Sequence, residues 1–329
     1  MLLSDKIILV ALGGNALITG ENGCTYEEQY ANLQRTSEFL LELITPENRI
    51  VITHGNGPQV GNLLLASEIA RDAVPIMSLD MCVAATEGFM GSMIQQALAN
   101  SLRQAGKRHN ITTVISQVIV SADDNAFKHP TKPIGPFYNY EQMQKLRSEK
   151  GWHMMQDARR GYRRLVPSPK PIKIQQARII SSMISNGEIV IAVGGGGIPL
   201  ARGNNGDLHT VEAVIDKDYA SALLAIEIKA DIFIMLTGVE KVCKGYGLST
   251  QVTLDKLTIN EAKKLLNEGQ FGEGSMKPKI EAAIEFLEHA ESDNSVVKKK
   301  TREVFITLPE KVVDALQGDT GTRIVTEYG

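Results

Sequence analysis

The chain of 329 residues is predicted to be an α/β protein, with a parallel or mostly parallel sheet covered by helices on both faces. Three observations carry that expectation. Short, almost continuous apolar runs recur along the chain. Stretches with helical spacing alternate with them. Tight glycine turns follow directly on three of the runs.

The elements follow in order. Lys6–Leu12 (KIILVAL) reads as a strand buried on both faces, since a strand between two helix layers has no reason to alternate with polar residues. Tyr26–Ile44 has helical spacing, with Leu33, Phe39, Leu40 and Leu43 as core positions. Arg49–His54 is the next strand, Met90–Leu102 a helix, and Thr112–Ser121 a strand. Glu188–Val193 and Asp231–Thr237 are two further strands, with a helix at Asp218–Lys229 between them. Val304–Thr307 and Arg323–Val325 close the sheet around a helix at Pro309–Leu316. Residues 1–329 are read as a single domain. The stretch 123–168 differs, being rich in Pro, Tyr, Arg and Lys and without apolar periodicity. Structureless loops beyond about 12–15 residues are uncommon, so this stretch is expected to form a small subdomain inserted in the sheet topology.

Composition removes several function classes. Hydrophobic residues make up 43% of the chain and charged residues 22%, as in a protein with a sizeable core. With 35 basic and 38 acidic residues the net charge is −3, which provides no electrostatic attraction for nucleic acid or an anionic membrane. The short run Lys298-Lys299-Lys300 reads as a solvated connection. Cys24, Cys82 and Cys243 have no CxxC spacing, so neither a disulfide framework nor a zinc site is expected. No apolar run approaches the ~18–20 residues that span a bilayer. The N-terminal apolar stretch is broken by Asp5 and Lys6 and runs into Gly13-Gly14, which suits a first strand better than a signal peptide. A cytoplasmic location is expected.

The glycine turns are Gly13-Gly14-Asn15-Ala16, Gly55-Asn56-Gly57-Pro58-Gln59-Val60-Gly61 and Gly194-Gly195-Gly196-Gly197. Residues 13–14, 55–61 and 194–197 hold nine of the 29 glycines, so the clustering does not come from composition. In open α/β sheets the ligand crevice lies off the carboxyl ends of the strands. Glycine there brings backbone close to a ligand and lets successive N–H groups converge on an anion. The spacing excludes two known schemes. Residues 55–61 read G-x-G-x-x-x-G, not the G-x-G-x-x-G of a dinucleotide fingerprint, and no turn carries the G-K-[ST] of a P-loop. A dehydrogenase is therefore disfavoured, and positive charge for bound phosphates must come from elsewhere.

Phosphoryl transfer needs in-line positioning and positive charge around the oxygens in flight. Candidate lysines lie in three polar segments. Lys217 opens a helix and is flanked by Asp216 and Asp218; Lys277 and Lys279 open another; Lys128 and Lys132 lie in the inserted stretch. A lysine at a helix N-terminus opposes the macrodipole and makes better sense beside an anion. Asp216 is either an N-cap, or orients Lys217, or both.

At these residues the sequence resembles the carbamate kinases, within the wider amino-acid-kinase fold. The matching strings include VALGGNAL, VITHGNGPQVGNLLL, DDNAFKHPTKPIGPFY, RGYRRLVPSPKP, GGGGIPL, AVIDKDYASALLA, LTGVEKV, EGQFGEGSMKPK and TGTRI, in family order from residue 9 to residue 324. The resemblance implies an open, mainly parallel sheet sandwiched between helix layers, a small protruding subdomain at 123–168, and a homodimer. It implies reversible Mg²⁺-dependent phosphoryl transfer between ATP and carbamate, giving ADP and carbamoyl phosphate, run toward ATP synthesis. Carried over by motif, Lys132, Lys217 and Lys279 surround the transferring group and Asp218 organises them. Gly13, Gly14 and Asn15 hold nucleotide phosphates, with Lys217 and Lys279. Thr237, Gly238, Tyr246 and Met276 lie near the nucleotide. Gly55, Asn56, Gly57, Gly195 and Gly196 face carbamate. No protein-only metal cage is implied: Mg²⁺ is held largely by substrate phosphates. The chain departs from the family pattern at Ser92, Arg159, Gly238 and Lys277, and the extra charge of Lys277 competes with Lys279 for the phosphate-contacting role. Two other readings use the same residues: a kinase of this fold acting on another small carboxylate, and an inactive nucleotide-binding regulator.

Overall fold

The computed structural model describes residues 4–13, 25–156, 161–272, 274–291 and 302–327. Gly14, Asn15, Cys24, Arg159 and the Lys298–Lys300 run lie outside them. The first strand, β1 (Ile7–Leu12), is followed by helix α1 (Tyr26–Leu40), strand β2 (Arg49–His54) and helices α2 (Gly57–Ile69) and α3 (Leu79–Gln104). Thr25 and Glu28 close a capping box on α1: each accepts the other's backbone N–H, which satisfies donors that the helix itself leaves unpaired. The predicted helix at Met90–Leu102 is the second half of α3, which is twice as long. Its first half packs as cluster Leu79, Cys82 and Val83 rather than on the main sheet.

The predicted strand Thr112–Ser121 is a correction. It is two strands, β3 (Ile111–Val114) and β4 (Gln117–Val120), in different sheets. The chain leaves the main sheet at Ser116, whose N–H goes to the Glu87 carboxyl group instead of to a neighbouring strand. The inserted stretch holds β5 (Lys132–Tyr138), α4 (Tyr140–Lys150), β6 (His153–Gln156) and β7 (Tyr162–Val166), and its strands form an antiparallel sheet in the order β5-β7-β6. Next come β8 (Pro171–Ile174), α5 (Ala177–Ser185), β9 (Ile189–Ala192), β10 (Ile198–Arg202) and β11 (Leu208–Thr210). Helix α6 (Lys217–Glu227) leads into β12 (Ile232–Leu236), the hairpin β13 (Val242–Lys244) and β14 (Val252–Leu254), and β15 (Lys256–Thr258). The chain finishes with α7 (Ile259–Asn267), α8 (Met276–Glu291), β16 (Glu303–Thr307), α9 (Val312–Gln317) and β17 (Thr322–Val325).

The main sheet has eight strands in the order β15-β17-β16-β12-β1-β2-β9-β3, and every pairing is parallel except β16 with β17. Alternate residues of one strand serve opposite helix layers. In β1, Ile8, Val10 and Leu12 join the cluster with α1 and α3, while Leu9 and Ala11 join the cluster with α5, α6 and α8. Strand β12 repeats this, with Ile232, Ile234 and Leu236 on one side and Phe233 and Met235 on the other. That two-sided burial explains the unbroken apolar runs. A second sheet, β11-β10-β4-β8, holds the strands that lead into and out of the inserted stretch and the two that follow the glycine loop after β9.

Candidate active site

Strands β12, β1, β2 and β9 are neighbours and run the same way, so the turns after them line one edge of the sheet. Thr237, Gly13, Gly55 and Gly194 follow the four strands in that spatial order. The turns are stitched by backbone bonds: Gly13 N–H donates to Leu236 carbonyl at 2.9 Å, and Gly55 N–H to Leu12 carbonyl at 3.2 Å. A Cβ on Gly13 would overlap the Leu236 carbonyl oxygen, so only glycine lets the ends of β1 and β12 approach this closely.

Helix α6 starts at this edge. Asp216 is its N-cap, and its Oδ1 accepts the Asp218 N–H at 2.8 Å. The other oxygen of Asp216 accepts Lys132 Nζ, from the start of β5. Asp218, 4% exposed, takes Lys217 Nζ on Oδ1 at 2.6 Å and Lys279 Nζ on Oδ2 at 2.7 Å. The fold thus gathers Lys132, Lys217 and Lys279 onto two carboxylates, Asp216 and Asp218, with one residue between them. Three ammonium groups against two carboxylates leave an excess of positive charge. Burial by itself would raise the Asp218 pKa, but Lys217 and Lys279 outweigh it and hold the carboxyl well below the usual range. Burial lowers the Lys217 pKa, Asp218 opposes the shift, and Lys279 adds to it. Under-compensated ammonium groups of this kind gain most from a bound anion. Gly55 sits against this cluster, where an added Cβ would lie 3.4 Å from Lys217 Cδ.

The loop after β9 has an unusual backbone. Val193, Gly195, Gly196 and Gly197 all have positive φ, at 54°, 65°, 98° and 81°. A Cβ on Gly195 would overlap the Asn56 side chain, and one on Gly196 would overlap the Ile215 carbonyl oxygen. Asn56 Nδ2 donates to Thr86 Oγ1 at 2.9 Å, which fixes the face that Gly195 meets. Gly57 is the first residue of α2, behind Asn56 as its N-cap.

Two buried titratable groups border the loop, and sequence reasoning passed over both. Glu87 of α3 accepts Gly194 N–H at 2.9 Å and Ser116 N–H at 3.1 Å. Burial raises its pKa to about 8, with the two amide bonds opposing. His54, at the end of β2, is fully buried; burial lowers its pKa to about 4. The available signal for Glu87 was a lone acidic residue in register with Val83, Met90 and Ile94 on an apolar helix face. The pairing of Asp216 with Lys132 had no such signal, because the partners are 84 residues apart.

The other candidates fall as follows. Thr237 and Gly238 follow β12, with Thr237 N–H bonded to Thr307 carbonyl at 2.9 Å. Met276 is the first residue of α8 and packs on the core. Tyr246 lies in the turn of the β13–β14 hairpin and is 69% exposed. Lys277 is half-buried with interactions of its own, whereas Lys279 is buried on Asp218. Gly14 and Asn15 lie outside the described residues. Among the described residues no group of three or more His, Cys, Asp or Glu side chains is arranged to hold a metal ion. No helix there is long and apolar enough to cross a membrane.

The fold is shared with known proteins. Residues 6–298 match the Amino acid kinase family. The chain belongs to that family. Its similarity to individual amino acid kinases extends over nearly the whole length. It is 44% identical over 325 residues to a carbamate kinase of Thermococcus kodakarensis, covering 98% of this chain and 100% of that protein. It is also 44% identical over 323 residues to the carbamate kinase-like protein YahI of Escherichia coli, covering 97% and 99%. The structure of carbamate kinase from Giardia lamblia bound to AMP-PNP superposes with a TM-score of 0.87 at 35% identity, covering 99% of each chain. The amino-acid-kinase fold expected from the motifs is therefore the fold of this chain.

Proposed function

We propose that this family member is a carbamate kinase, transferring a phosphoryl group reversibly between ATP and carbamate and giving ADP and carbamoyl phosphate. The observation that carries the reading is the gathering of Lys132, Lys217 and Lys279 on Asp216 and Asp218, beside the glycine turns. The relatives named carbamate kinase support it over the full length of the chain.

The reaction needs no side-chain nucleophile. A carboxylate oxygen of carbamate attacks the γ-phosphorus in line with the departing ADP oxygen, or ADP attacks carbamoyl phosphate in reverse. Lys217 and Lys279, aimed by one carboxylate, supply charge that gains value as the equatorial oxygens become more negative. Lys132 reaches the same place from the inserted stretch, which acts as a protruding subdomain within the one domain. Gly13, with Gly14 and Asn15, serves the nucleotide phosphates. Thr237, Gly238, Tyr246 and Met276 serve the nucleoside side. Gly55, Asn56, Gly57, Gly195 and Gly196 shape the carbamate end. Mg²⁺ enters as part of the nucleotide substrate, held by its phosphates and water; both site aspartates are already committed to lysines. We assign the net direction to ATP synthesis, a cytoplasmic location, and pairing with a second copy. The exposed apolar side chains of Ile76, Met81 and Ile115 support the last.

The test is ATP formation from ADP, Mg²⁺ and carbamoyl phosphate by purified protein. No turnover overturns the reading. One observation favours a second reading, a kinase of another small carboxylate: identity to YahI, named only carbamate kinase-like, equals that to the T. kodakarensis enzyme, both at 44%. Turnover of another acyl phosphate at a far higher kcat/KM than carbamoyl phosphate would establish it.

A further inference from the structure

Glu87 is 1% exposed, and among the described residues it forms no ion pair. A buried carboxyl without a cation is costly unless hydrogen bonds compensate it. Here its two oxygens each take one backbone amide, from Gly194 and from Ser116. Ser116 continues the clamp, since its Oγ accepts Val193 N–H at 2.8 Å. Within the loop, Gly196 N–H goes to Val193 carbonyl and Gly197 N–H to Gly194 carbonyl, both at 3.1 Å. These bonds use the amides of Val193, Gly194, Gly196 and Gly197. Gly195, pressed on Asn56, is held in place by its neighbours on either side. An added Cβ on Gly194 would meet both the His54 ring and Glu87 Cγ, so the loop packs directly against these two groups. His54 Nε2 is buried and makes no hydrogen bond.

We propose that Glu87 is a positioning residue for the acyl-phosphate end of the site: its carboxyl holds the Val193–Gly197 loop against Asn56, and its charge decides how well that loop receives an anion. The proposal rests on the kinase reading above, which places the acyl group at this loop. Burial raises the Glu87 pKa to about 8, the amide bonds opposing. His54, lowered to about 4 by burial, stays neutral. His54 of β2 packs on the same glycine as Glu87, Lys217 of α6 acts on His54, and on α3 itself the buried Asp80 lies two turns before Glu87. The charged residues of α1, Glu27, Glu28, Arg35 and Glu38, are exposed, and Glu68 of α2 is paired with Lys150. The loop and the β3–β4 turn carry none. Below about pH 8 the Glu87–His54 cluster is neutral; above it a negative charge sits behind the loop, facing an anionic substrate.

The test compares the KM for carbamoyl phosphate of the native protein and Glu87→Gln across this pH range. The native KM is expected to rise about tenfold above pH 8, with the KM for ADP within about twofold, and Glu87→Gln to show no such rise. Parallel profiles in the two proteins would overturn the proposal. Glu87→Asp, which withdraws the carboxyl from both amides, is expected to raise the KM for carbamoyl phosphate about tenfold at neutral pH and spare that for ADP; an unchanged KM would also overturn it. Melting curves separate this from failure of the kinase reading. A folded pKa raised from 4.5 to about 8 means the native state binds the extra proton, so native stability should fall with rising pH across that window relative to Glu87→Gln. The gain in melting temperature from inorganic phosphate should shrink above pH 8 only in the native protein. Parallel melting behaviour overturns the role of Glu87 whether or not carbamoyl phosphate is the substrate.

Discussion

Lys279 Nζ lies 2.7 Å from Asp218 Oδ2, and that contact separates it from Lys277, two residues earlier on the same helix turn. Lys279 is buried at the sheet edge; Lys277 is half-buried and outside the Asp218 pair. Lys279→Ala is therefore expected to lower kcat by about 100-fold or more, the scale of losing one charge-stabilising donor. Lys277→Ala should change kcat/KM by less than about tenfold. Steady-state kinetics on the two variants checks this, and the reverse ranking would transfer the role to Lys277.

Lys217 shares the other oxygen of Asp218. In an enzyme its charge matters most in the transition state, so Lys217→Ala should cost about 100-fold or more in kcat and much less in the affinity for ADP. Calorimetry of ADP binding beside the kinetics checks it. Equal losses in both would favour the regulator reading.

Asp218 is held below the usual carboxylate range by its two lysines against the opposing effect of burial. The folded state then binds fewer protons than the unfolded chain, so its contribution to stability is present at neutral pH and is lost as pH falls below the ordinary carboxylate pKa. Asp218→Asn leaves two buried ammonium groups facing each other, which should cost about 3–5 kcal/mol at neutral pH. The loss should narrow toward acid. Melting temperatures of both proteins between about pH 3 and 7 test the sign.

Lys132 is delivered by a strand clamped to the helix behind the second glycine turn. A Cβ on Gly61 of α2 would overlap Gly135 of β5, Lys150 pairs with Glu68, and Arg163 Nε donates to Gly135 carbonyl at 3.1 Å. Gly61→Ala should destabilise by about 1–3 kcal/mol or more, because two backbones must separate. It should also lower kcat, since β5 carries Lys132. If residues 123–168 close over substrate, hydrogen exchange there and in α2 should slow together on adding ADP and carbamoyl phosphate. Unchanged exchange in both would rule closure out.

Much of the fold was legible because burial on two faces writes itself as unbroken apolar runs. Lys6–Leu12, Arg49–His54 and Asp231–Thr237 coincide with β1, β2 and β12 within a residue or two. Thr112–Ser121 failed for an equally physical reason. Its apolar character is continuous, but a buried glutamate carboxyl from α3 takes the Ser116 N–H and diverts the chain into another sheet. The long α3 was read at half its length, because its first turns pack on α2 and β5 instead of on the sheet.

For the site, sequence alone established the ingredients: glycine turns after apolar strands, lysines at two helix starts, and a third lysine in a polar insertion. Turn chemistry and strand periodicity are local, and a local pattern can be read from one chain. Which carboxylate holds which lysine was decided by packing across separations of 61 and 84 residues. So was the packing of Glu87 and His54 on Gly194, which joins α3, β2 and the loop after β9. Their pKa values come from desolvation, and desolvation exists only once the surrounding elements have closed.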